Sequence, residues 1–191
     1  PTTEPVQRIG RYRIESVLGA GGMGVVYRAV QDAPKRTVAL KVMNQHVVTD
    51  AAKRRFTLEA EVLGRLRHPN VAQIYEAGSW EAEVGTQPFF AMELVDGDRL
   101  IDHAVSNELD LRARLELLAK ACDAVQYAHR QGVIHRDLKP SNILVDSTGG
   151  PKILDFGIAR TTDVDIQRTT ATGEGQLLGT LAYMSPEQVE G

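Results

Sequence analysis

A glycine cluster near the start of the chain is the first group of residues suited to chemistry. Its sequence, Gly19-Ala20-Gly21-Gly22-Met23-Gly24, has glycine at the first, third and sixth positions. Glycine lets the backbone approach a phosphate closely and turn its N–H groups toward it. A dinucleotide-binding fold uses the same spacing, but there the last glycine opens a helix. Here Val25-Val26-Tyr27 predicts a strand, which disfavours a dinucleotide-dependent oxidoreductase and leaves a phosphate-binding hairpin or a flexible turn.

A lysine on a later strand is the second candidate. Lys41 follows Val38-Ala39-Leu40, in a run that predicts a strand. A lysine on a strand that otherwise faces a core needs a carboxylate and a phosphate, because an unpaired buried ammonium is costly. Glu59 is the candidate carboxylate, since it shares a predicted helix face with Val62, Leu63 and Leu66. For either residue taken singly, a solvated surface charge is the alternative.

Two polar segments in the second half of the chain complete a pattern. The segment His135-Arg136-Asp137-Leu138-Lys139-Pro140-Ser141-Asn142 is followed, thirteen residues after Asn142, by Asp155-Phe156-Gly157. Together with the glycine cluster, Lys41, Glu59 and Ser185-Pro186-Glu187, they resemble in content and order the signature set of protein kinases. The resemblance runs from about Tyr12 to Glu190. Chance occurrence of all these elements in this order is negligible.

The resemblance implies a catalytic role for several of these residues. Asp137 is expected to orient the substrate hydroxyl and accept its proton. Lys139 would lie against the transferring phosphoryl group and offset its developing charge. Asn142 and Asp155 supply the hard oxygen ligands that suit Mg²⁺, with Mn²⁺ as an alternative ion. Lys41, held by Glu59, would pair with the α- and β-phosphates of ATP.

The resemblance also implies which residues surround ATP. The glycine cluster and Val26 would cover the phosphates, and Met92 would border the adenine pocket. The backbone of Glu93 and Val95 would hydrogen-bond the adenine edge, while apolar side chains sandwich the ring; a simple core role is the alternative for these apolar residues. The complete expected set is Leu18, Gly19, Ala20, Gly21, Gly22, Met23, Gly24, Val26, Ala39, Lys41, Met92, Glu93, Val95 and Leu144.

The substrate class follows from two segments of the same resemblance. The segment around Lys139 and the run from Gly179 to Glu187 resemble the corresponding segments of kinases that act on serine and threonine. The sequence Met184-Ser185-Pro186-Glu187-Gln188 resembles bacterial members of the family. The expected reaction is transfer of the γ-phosphoryl group of Mg·ATP to Ser or Thr hydroxyls of protein substrates.

The resemblance also implies a mode of regulation, because kinases of this kind place basic residues matching Arg136 and Arg160 near the loop over residues 161–179. Two neighbouring cations favour a phosphate between them. We therefore expect autophosphorylation at Thr172 or Thr170, with self-association if one copy modifies another. Ordinary polarity of a flexible loop is the alternative explanation of these threonines.

Residue periodicity predicts the elements that must position these residues. Strands are predicted over 12–18, 25–30, 37–42, 71–76, 89–95, 143–145 and 152–154. Spacings of three and four predict one helix from about residue 50 to just before His68. A longer helix is predicted with Asp110 as its N-cap and with Leu111, Leu115, Leu118, Cys122, Val125 and His129 marking its length. A polar loop with Gly78 and Gly85 and a linker at Asp96-Gly97-Asp98 are predicted between elements.

These elements predict an α+β fold of two lobes, and the resemblance implies that this fold is protein-kinase-like. Residues 1–95 would form an ATP-binding N-lobe of antiparallel sheet plus one helix, and residues 96–191 would form a mainly helical C-lobe with the catalytic loop and activation segment. Kinase domains usually continue beyond this point, so the C-lobe is expected to be incomplete. For this chain taken by itself, a nucleotide-binding but catalytically weak fragment or scaffold is the alternative.

Composition limits the remaining classes. The chain has 191 residues, 42% of them hydrophobic, and a formal net charge of -3, which gives no field that attracts nucleic acid or an anionic membrane. No apolar run approaches the roughly 20 residues that span a bilayer. Cys122, the single cysteine, excludes an internal disulfide and fits a reducing compartment. A cytoplasmic location is expected, with any membrane anchor of the parent protein outside this segment.

Overall fold

A computed structural model of the chain describes residues 8–21, 24–43, 62–82, 85–156 and 182–190. Several predicted site residues lie outside the described residues. These are Gly22, Met23, Glu59, Gly157, Arg160, Thr170 and Thr172.

The first part of the chain forms an antiparallel sheet of six described strands. Runs rich in Val, Ile, Leu and Tyr build it, because such residues fit a pleated, half-buried surface. The predicted strands over 12–18, 25–30 and 37–42 are confirmed, each extended by one to three residues at its ends. The sheet order is β1-β2-β3-β4-β6-β5. The bounds are β1 Arg8–Ile9, β2 Tyr12–Gly21, β3 Gly24–Gln31, β4 Arg36–Met43, β5 Ile74–Ala82 and β6 Gly85–Glu93.

One face of this sheet carries a hydrophobic core. Alternate residues of β4, Val38, Leu40 and Val42, are buried there with residues of the neighbouring strands. Tyr12 is fully buried and meets Phe89 edge to face, with ring centroids 5.7 Å apart. Since side chains alternate between faces along a strand, Ala39 and Lys41 belong to the opposite face.

Strands β5 and β6 differ from the sequence prediction. Gly78 and Gly85, which were predicted in a polar loop, lie within β5 and at the start of β6, and β5 begins at Ile74 instead of Val71. Gly78 pairs with Phe89, and a Cβ at Gly78 would lie 2.8 Å from the tip of the Phe89 ring. Glycine is therefore required at position 78 despite its low strand propensity, because the Phe89 ring occupies the space that a side chain would need.

The later part of the chain holds three helices whose bounds lie within the described residues. They are α1 Leu100–Ser106, α2 Leu111–Arg130 and α3 Pro186–Glu190. Helix α2 and its N-cap are confirmed, with the Asp110 side chain accepting from Ala113 N at 2.8 Å. Its buried residues are Leu117, Ala121, Ala124 and Ala128, and the three alanines permit close approach to a neighbour. Leu111, Leu115, Leu118 and Cys122, which marked the helix in the sequence, are exposed. No helix in the described ranges is long and apolar enough to cross a membrane.

A second, three-stranded sheet lies beside α1 and α2, with the strand order β7-β8-β9. Its strands are β7 Gly97–Arg99, β8 Ile143–Asp146 and β9 Pro151–Ile153, with a short 3-10 helix at Pro140–Asn142. The predicted linker at Asp96-Gly97-Asp98 is therefore largely strand, and α1 was not predicted. Gly97 is needed there because a Cβ would lie 2.1 Å from the Val145 carbonyl oxygen.

Packing divides the chain into two units. The first comprises Pro1–Arg65 and Gln73–Leu94, and the second comprises Leu66–Ala72 and Val95–Gly191. The segment 66–72, which the sequence analysis placed in the N-lobe, thus belongs to the second unit. Arg67 N donates to Tyr127 Oη at 3.0 Å, and Asn70 Nδ2 donates to Pro151 O at 2.8 Å. These bonds fasten the segment to α2 and β9.

Candidate active site

The first unit gathers four of the predicted nucleotide-binding residues on one face of its sheet. Directly opposed residues in antiparallel strands share a face, and the register pairs Val26 with Lys41 and Ala39 with Met92. Ala39 and Lys41 are two positions apart on β4, so all four lie on the face opposite the hydrophobic core. Lys41 has 7% of its surface exposed. The strand register therefore places a nearly buried lysine on the same face as Val26, Ala39 and Met92.

Two glycines of the cluster, Gly19 and Gly24, differ in whether packing requires them to lack a side chain. Gly24 is required by packing, because a Cβ there would lie 2.0 Å from the Val42 carbonyl oxygen and its φ is +152°. Gly19 pairs with Val26, and a Cβ on Gly19 would meet nothing within 4 Å. Packing within the described chain therefore explains Gly24 but gives no reason for glycine at position 19.

The end of β6 carries the predicted adenine-binding residues of this unit. Met92 is buried, and Glu93 follows it as the last residue of the strand. The Glu93 N–H donates to Gln73 O at 2.8 Å, while Gln73 N donates to Glu93 Oε2 at 3.1 Å. Because that N–H is engaged, the backbone group of Glu93 suited to an adenine edge is its carbonyl oxygen.

The second unit brings three of the predicted catalytic and metal-binding residues into contact. Lys139 Nζ lies 3.0 Å from Asp137 Oδ2, and both side chains are about three-quarters buried, with exposures of 23% and 24%. Asn142 Nδ2 donates to the same Oδ2 at 3.1 Å and to the Asp137 carbonyl oxygen at 2.8 Å. The carboxylate of Asp137 is thus held by a cation and an amide on one of its two oxygens.

The backbone adopts energetically unfavourable conformations at two residues near the Asp137 carboxylate. Arg136 has φ of 63° and Asp155 has φ of 55°. Such values cost non-glycine residues about 1–3 kcal/mol each and persist only where neighbours hold them. Asp137 N donates to His135 O at 2.8 Å, and Leu154 N donates to Asn142 O at 2.9 Å. Strain on both sides of the Asp137 cluster is a feature of functional sites.

His135 is a residue of this site to which the sequence analysis gave no separate role. It has 2% of its surface exposed, and its ring lies 4.7 Å from that of Phe156. Its Nε2 lies 2.8 Å from Leu154 O, and its Nδ1 accepts from Asp137 N at 3.3 Å. Burial lowers the pKa of His135, although its hydrogen bond to Leu154 opposes this. A neutral ring with its proton on Nε2 fits both contacts. Only its position in the motif marked it in the sequence.

The predicted metal ligands lie at one end of the β8–β9 hairpin. The Asn142 carbonyl accepts from Leu154 N, the residue before Asp155, at 2.9 Å. The Asn142 side-chain NH₂ donates to Asp137. The side-chain oxygen Oδ1 is therefore the atom of this amide that suits a cation. An amide oxygen and a carboxylate match the donors that Mg²⁺ uses together with substrate phosphates and water. The residues present therefore fit a divalent cation.

Comparison with known proteins agrees with these motifs. The family described as "Protein kinase domain" matches residues 12–191. Serine/threonine-protein kinase PknB of Mycobacterium leprae is 36% identical over 191 residues, 99% of this chain and 30% of that protein. PknA of Mycobacterium tuberculosis is 38% identical over 185 residues, 95% of this chain and 42% of that protein. The chain therefore spans less than half the length of these curated relatives.

A solved structure gives the same result for the fold. The kinase domain of Mycobacterium tuberculosis PknI, as a C20A_R136A double mutant, superposes with a TM-score of 0.71 at 28% identity. The superposition covers 85% of this chain and 65% of that one. The predicted protein-kinase-like α+β fold is confirmed, and part of the solved domain has no counterpart here. From the family match and the shared fold, we conclude that this chain belongs to the protein kinase family.

Proposed function

We propose that the chain is the ATP-binding and catalytic part of a Ser/Thr protein kinase. The reaction is transfer of the γ-phosphoryl group of Mg·ATP to Ser or Thr hydroxyls of proteins. One observation carries the proposal, namely that Lys139 and Asn142 both contact Asp137 Oδ2. This arrangement offers a carboxylate for the acceptor, a cation for the phosphoryl group and an amide for a metal, and phosphoryl transfer needs mainly such positioning and charge neutralisation.

Asp137 acts on the acceptor hydroxyl. Its Oδ2 is held by Lys139 and Asn142, which leaves Oδ1 to accept the hydrogen bond from the hydroxyl. As the hydroxyl oxygen bonds to the γ-phosphorus, the bond from that phosphorus to the bridging oxygen of ADP breaks and the hydroxyl proton passes to Asp137. Lys139 offsets the negative charge on the phosphoryl oxygens in the transition state.

Asn142 and Asp155 would hold the metal ion. When bound, Mg²⁺ would supply positive charge that offsets the negative charge of the ATP phosphates. Oxygen ligands accept Mn²⁺ as well, so either ion supports the reaction in this proposal.

Lys41 binds the α- and β-phosphates, with Glu59 as its partner. The near-complete burial of Lys41 supports this role, because a cationic residue that is buried needs anionic partners. Glycine at position 19, where packing does not require it, supports close approach of the segment from Leu18 to Gly24 to the phosphates. Val26, Ala39, Met92 and Leu144 contact the adenine ring, and the backbone of Glu93 and Val95 recognises its edge.

Partners and regulation follow from the same family. Proteins with accessible Ser or Thr are the substrates, and the bacterial relatives named as serine/threonine-protein kinases support that class. The chain modifies Thr172 or Thr170 of its own activation loop, by self-association where the transfer is between copies. The proposed location is the cytoplasm. Intact-mass and peptide mapping after incubation with Mg·ATP tests the modification, and phosphate found only outside residues 161–180 contradicts it.

Transfer of radiolabelled phosphate from ATP to a generic basic protein tests the proposed activity. We expect labelling that depends on a divalent cation and disappears in Asp137→Asn, whereas nucleotide binding by this variant stays near the wild-type level. A matched Asp123→Asn variant changes an exposed carboxylate on α2 and should keep full activity. Retained activity in Asp137→Asn would show that the base assignment is wrong.

The exposed apolar face of α2 favours a second outcome for the chain taken by itself. Leu111, Leu115 and Leu118 have 73%, 55% and 47% of their surfaces exposed. Apolar patches of this kind favour association over a well-ordered monomer. In this alternative the chain binds nucleotide but transfers phosphate weakly. Running the same assay on this chain and on a longer form of the protein separates the two outcomes.

A further inference from the structure

The side chain of Gln188 contacts the catalytic loop from a distant part of the sequence. Its Nε2 donates to the carbonyl oxygen of Arg136 at 2.8 Å, across 52 positions of the chain. Gln188 lies in the short helix α3, directly after Ser185-Pro186-Glu187. We propose that Gln188 is a positioning residue that fixes the peptide group before Asp137, an inference that rests on the proposed function.

The bonded carbonyl belongs to the peptide that sets the direction of Asp137. The Arg136 C=O and the Asp137 N–H are two ends of one planar group. The N–H end donates to His135 O at 2.8 Å and to His135 Nδ1 at 3.3 Å. Gln188 holds the C=O end. Together these contacts prevent rotation of the peptide, at a position where Arg136 has an unfavourable φ of 63°.

The other half of the Gln188 amide fixes its own orientation. Ser185 N, at the start of α3, donates to Gln188 Oε1 at 3.2 Å. Because a backbone N–H can only donate, the oxygen of the amide faces Ser185 and the NH₂ faces Arg136. The side chain at position 188 must therefore accept one hydrogen bond and donate another. An amide does both, whereas a carboxylate only accepts and an ammonium only donates.

Loss of the hydrogen bond from Gln188 to the Arg136 carbonyl should lower turnover and leave ATP affinity unchanged. A rotated 136–137 peptide turns the Asp137 side chain away from the Lys139 and Asn142 contacts that hold its Oδ2. Gln188 has no role in binding ATP in the proposed mechanism, so its loss should lower kcat and leave KM for ATP unchanged.

Two substitutions separate the two hydrogen bonds. Gln188→Glu keeps the acceptor for Ser185 but replaces the donor to Arg136 with a second acceptor, whereas Gln188→Lys keeps a donor and loses the acceptor. We expect kcat to fall about tenfold in Gln188→Glu, equivalent to about 1.4 kcal/mol of transition-state stabilisation, with KM for ATP within twofold of wild type. Gln188→Lys should lose clearly less. Gln131→Glu, at an exposed glutamine after α2, is the matched control for the added charge.

Hydrogen exchange on the nucleotide-free chain supplies a readout that does not need activity. Backbone amides of residues 135–139 should exchange faster in Gln188→Glu than in Gln188→Lys or Gln131→Glu. Equal exchange in all variants, or equal kcat in the Glu and Lys variants, would overturn the inference. A wild-type chain that transfers no phosphate would overturn the proposed function and its catalytic consequence, while exchange would still decide whether Gln188 holds the peptide.

Discussion

The Lys139 ammonium and the Asp137 carboxylate form a contact of 3.0 Å in which each side chain is only about one-quarter exposed. In the proposed mechanism the same ammonium neutralises charge that develops on the transferring phosphoryl group. The pair therefore links the position of the base to the stabilisation of the transition state.

Replacing Lys139 should therefore reduce turnover strongly. We expect Lys139→Ala to lower kcat by about 10²-fold, the usual effect of removing one transition-state contact, with KM for ATP nearly unchanged. Steady-state kinetics at varied ATP concentration measures both. Lys120→Ala, which removes an exposed lysine of α2, is the control and should keep wild-type values. A rise in KM with unchanged kcat would assign Lys139 to nucleotide binding instead.

The two glycines that differ in packing should respond differently to alanine. Gly24→Ala places a Cβ 2.0 Å from Val42 O at a φ of +152°, so we expect loss of stability of about 2 kcal/mol or more. Gly19→Ala places its Cβ in open space and should fold normally but bind ATP more weakly. Thermal melting and nucleotide titration of both variants test this contrast. Wild-type ATP affinity in Gly19→Ala would remove the support that this glycine gives to phosphate binding.

The sequence predicted those strands and caps whose signals are local. Alternating β-branched residues in β2, β3 and β4 and the Asp110 cap of α2 are each determined within a few neighbouring residues. The extension of β5 through Gly78 was not predictable in this way, because pairing with β6 and the Phe89 ring overrides the poor propensity of glycine. β7 likewise depends on β8, a partner more than 40 residues away.

The candidate site likewise combines residues marked by local sequence motifs with contacts between distant residues that no motif marks. Residue types and order in the two polar segments were enough to name Asp137, Lys139, Asn142 and Asp155. The bond from Gln188 to Arg136 had no local signal, because it joins residues 52 positions apart. The face shared by Lys41, Ala39 and Met92 depends on register, which the pairing of strands distant in sequence decides.

Tyr12 should make the stability of the protein sensitive to alkaline pH. Burial first, and then the hydrogen bond to Glu76, raises the pKa of Tyr12 to about 12, above the unfolded value of about 10. The folded state therefore keeps its proton where the unfolded state loses it. Stability from this group is complete below about pH 10 and falls as pH rises toward about 12.

Urea unfolding at a series of alkaline pH values measures this effect. Tyr12→Phe should lower the free energy of unfolding near neutral pH by about 1 kcal/mol through the lost hydrogen bond. It should also show a smaller further loss above about pH 10 than the wild type. Tyr27→Phe, at a tyrosine that is only partly buried, is the comparison. Parallel pH dependence in wild type and Tyr12→Phe would contradict the assignment.

Asp155 should contribute to nucleotide binding only when a divalent cation is present. Loss of groups that merely orient metal ligands costs about 10–100-fold in metal affinity, so removal of a ligand should weaken metal-dependent binding by at least about tenfold. Without metal, the carboxylate repels phosphate, and Asp155→Ala should bind nucleotide at least as well as the wild type. Titration of a fluorescent ATP analogue with Mg²⁺, with Mn²⁺ and with chelator gives the three affinities, and Asp123→Ala on α2 serves as the control. Equal losses with metal and with chelator would show that Asp155 acts on the fold or on the nucleotide directly, because only a metal ligand makes its effect depend on the cation.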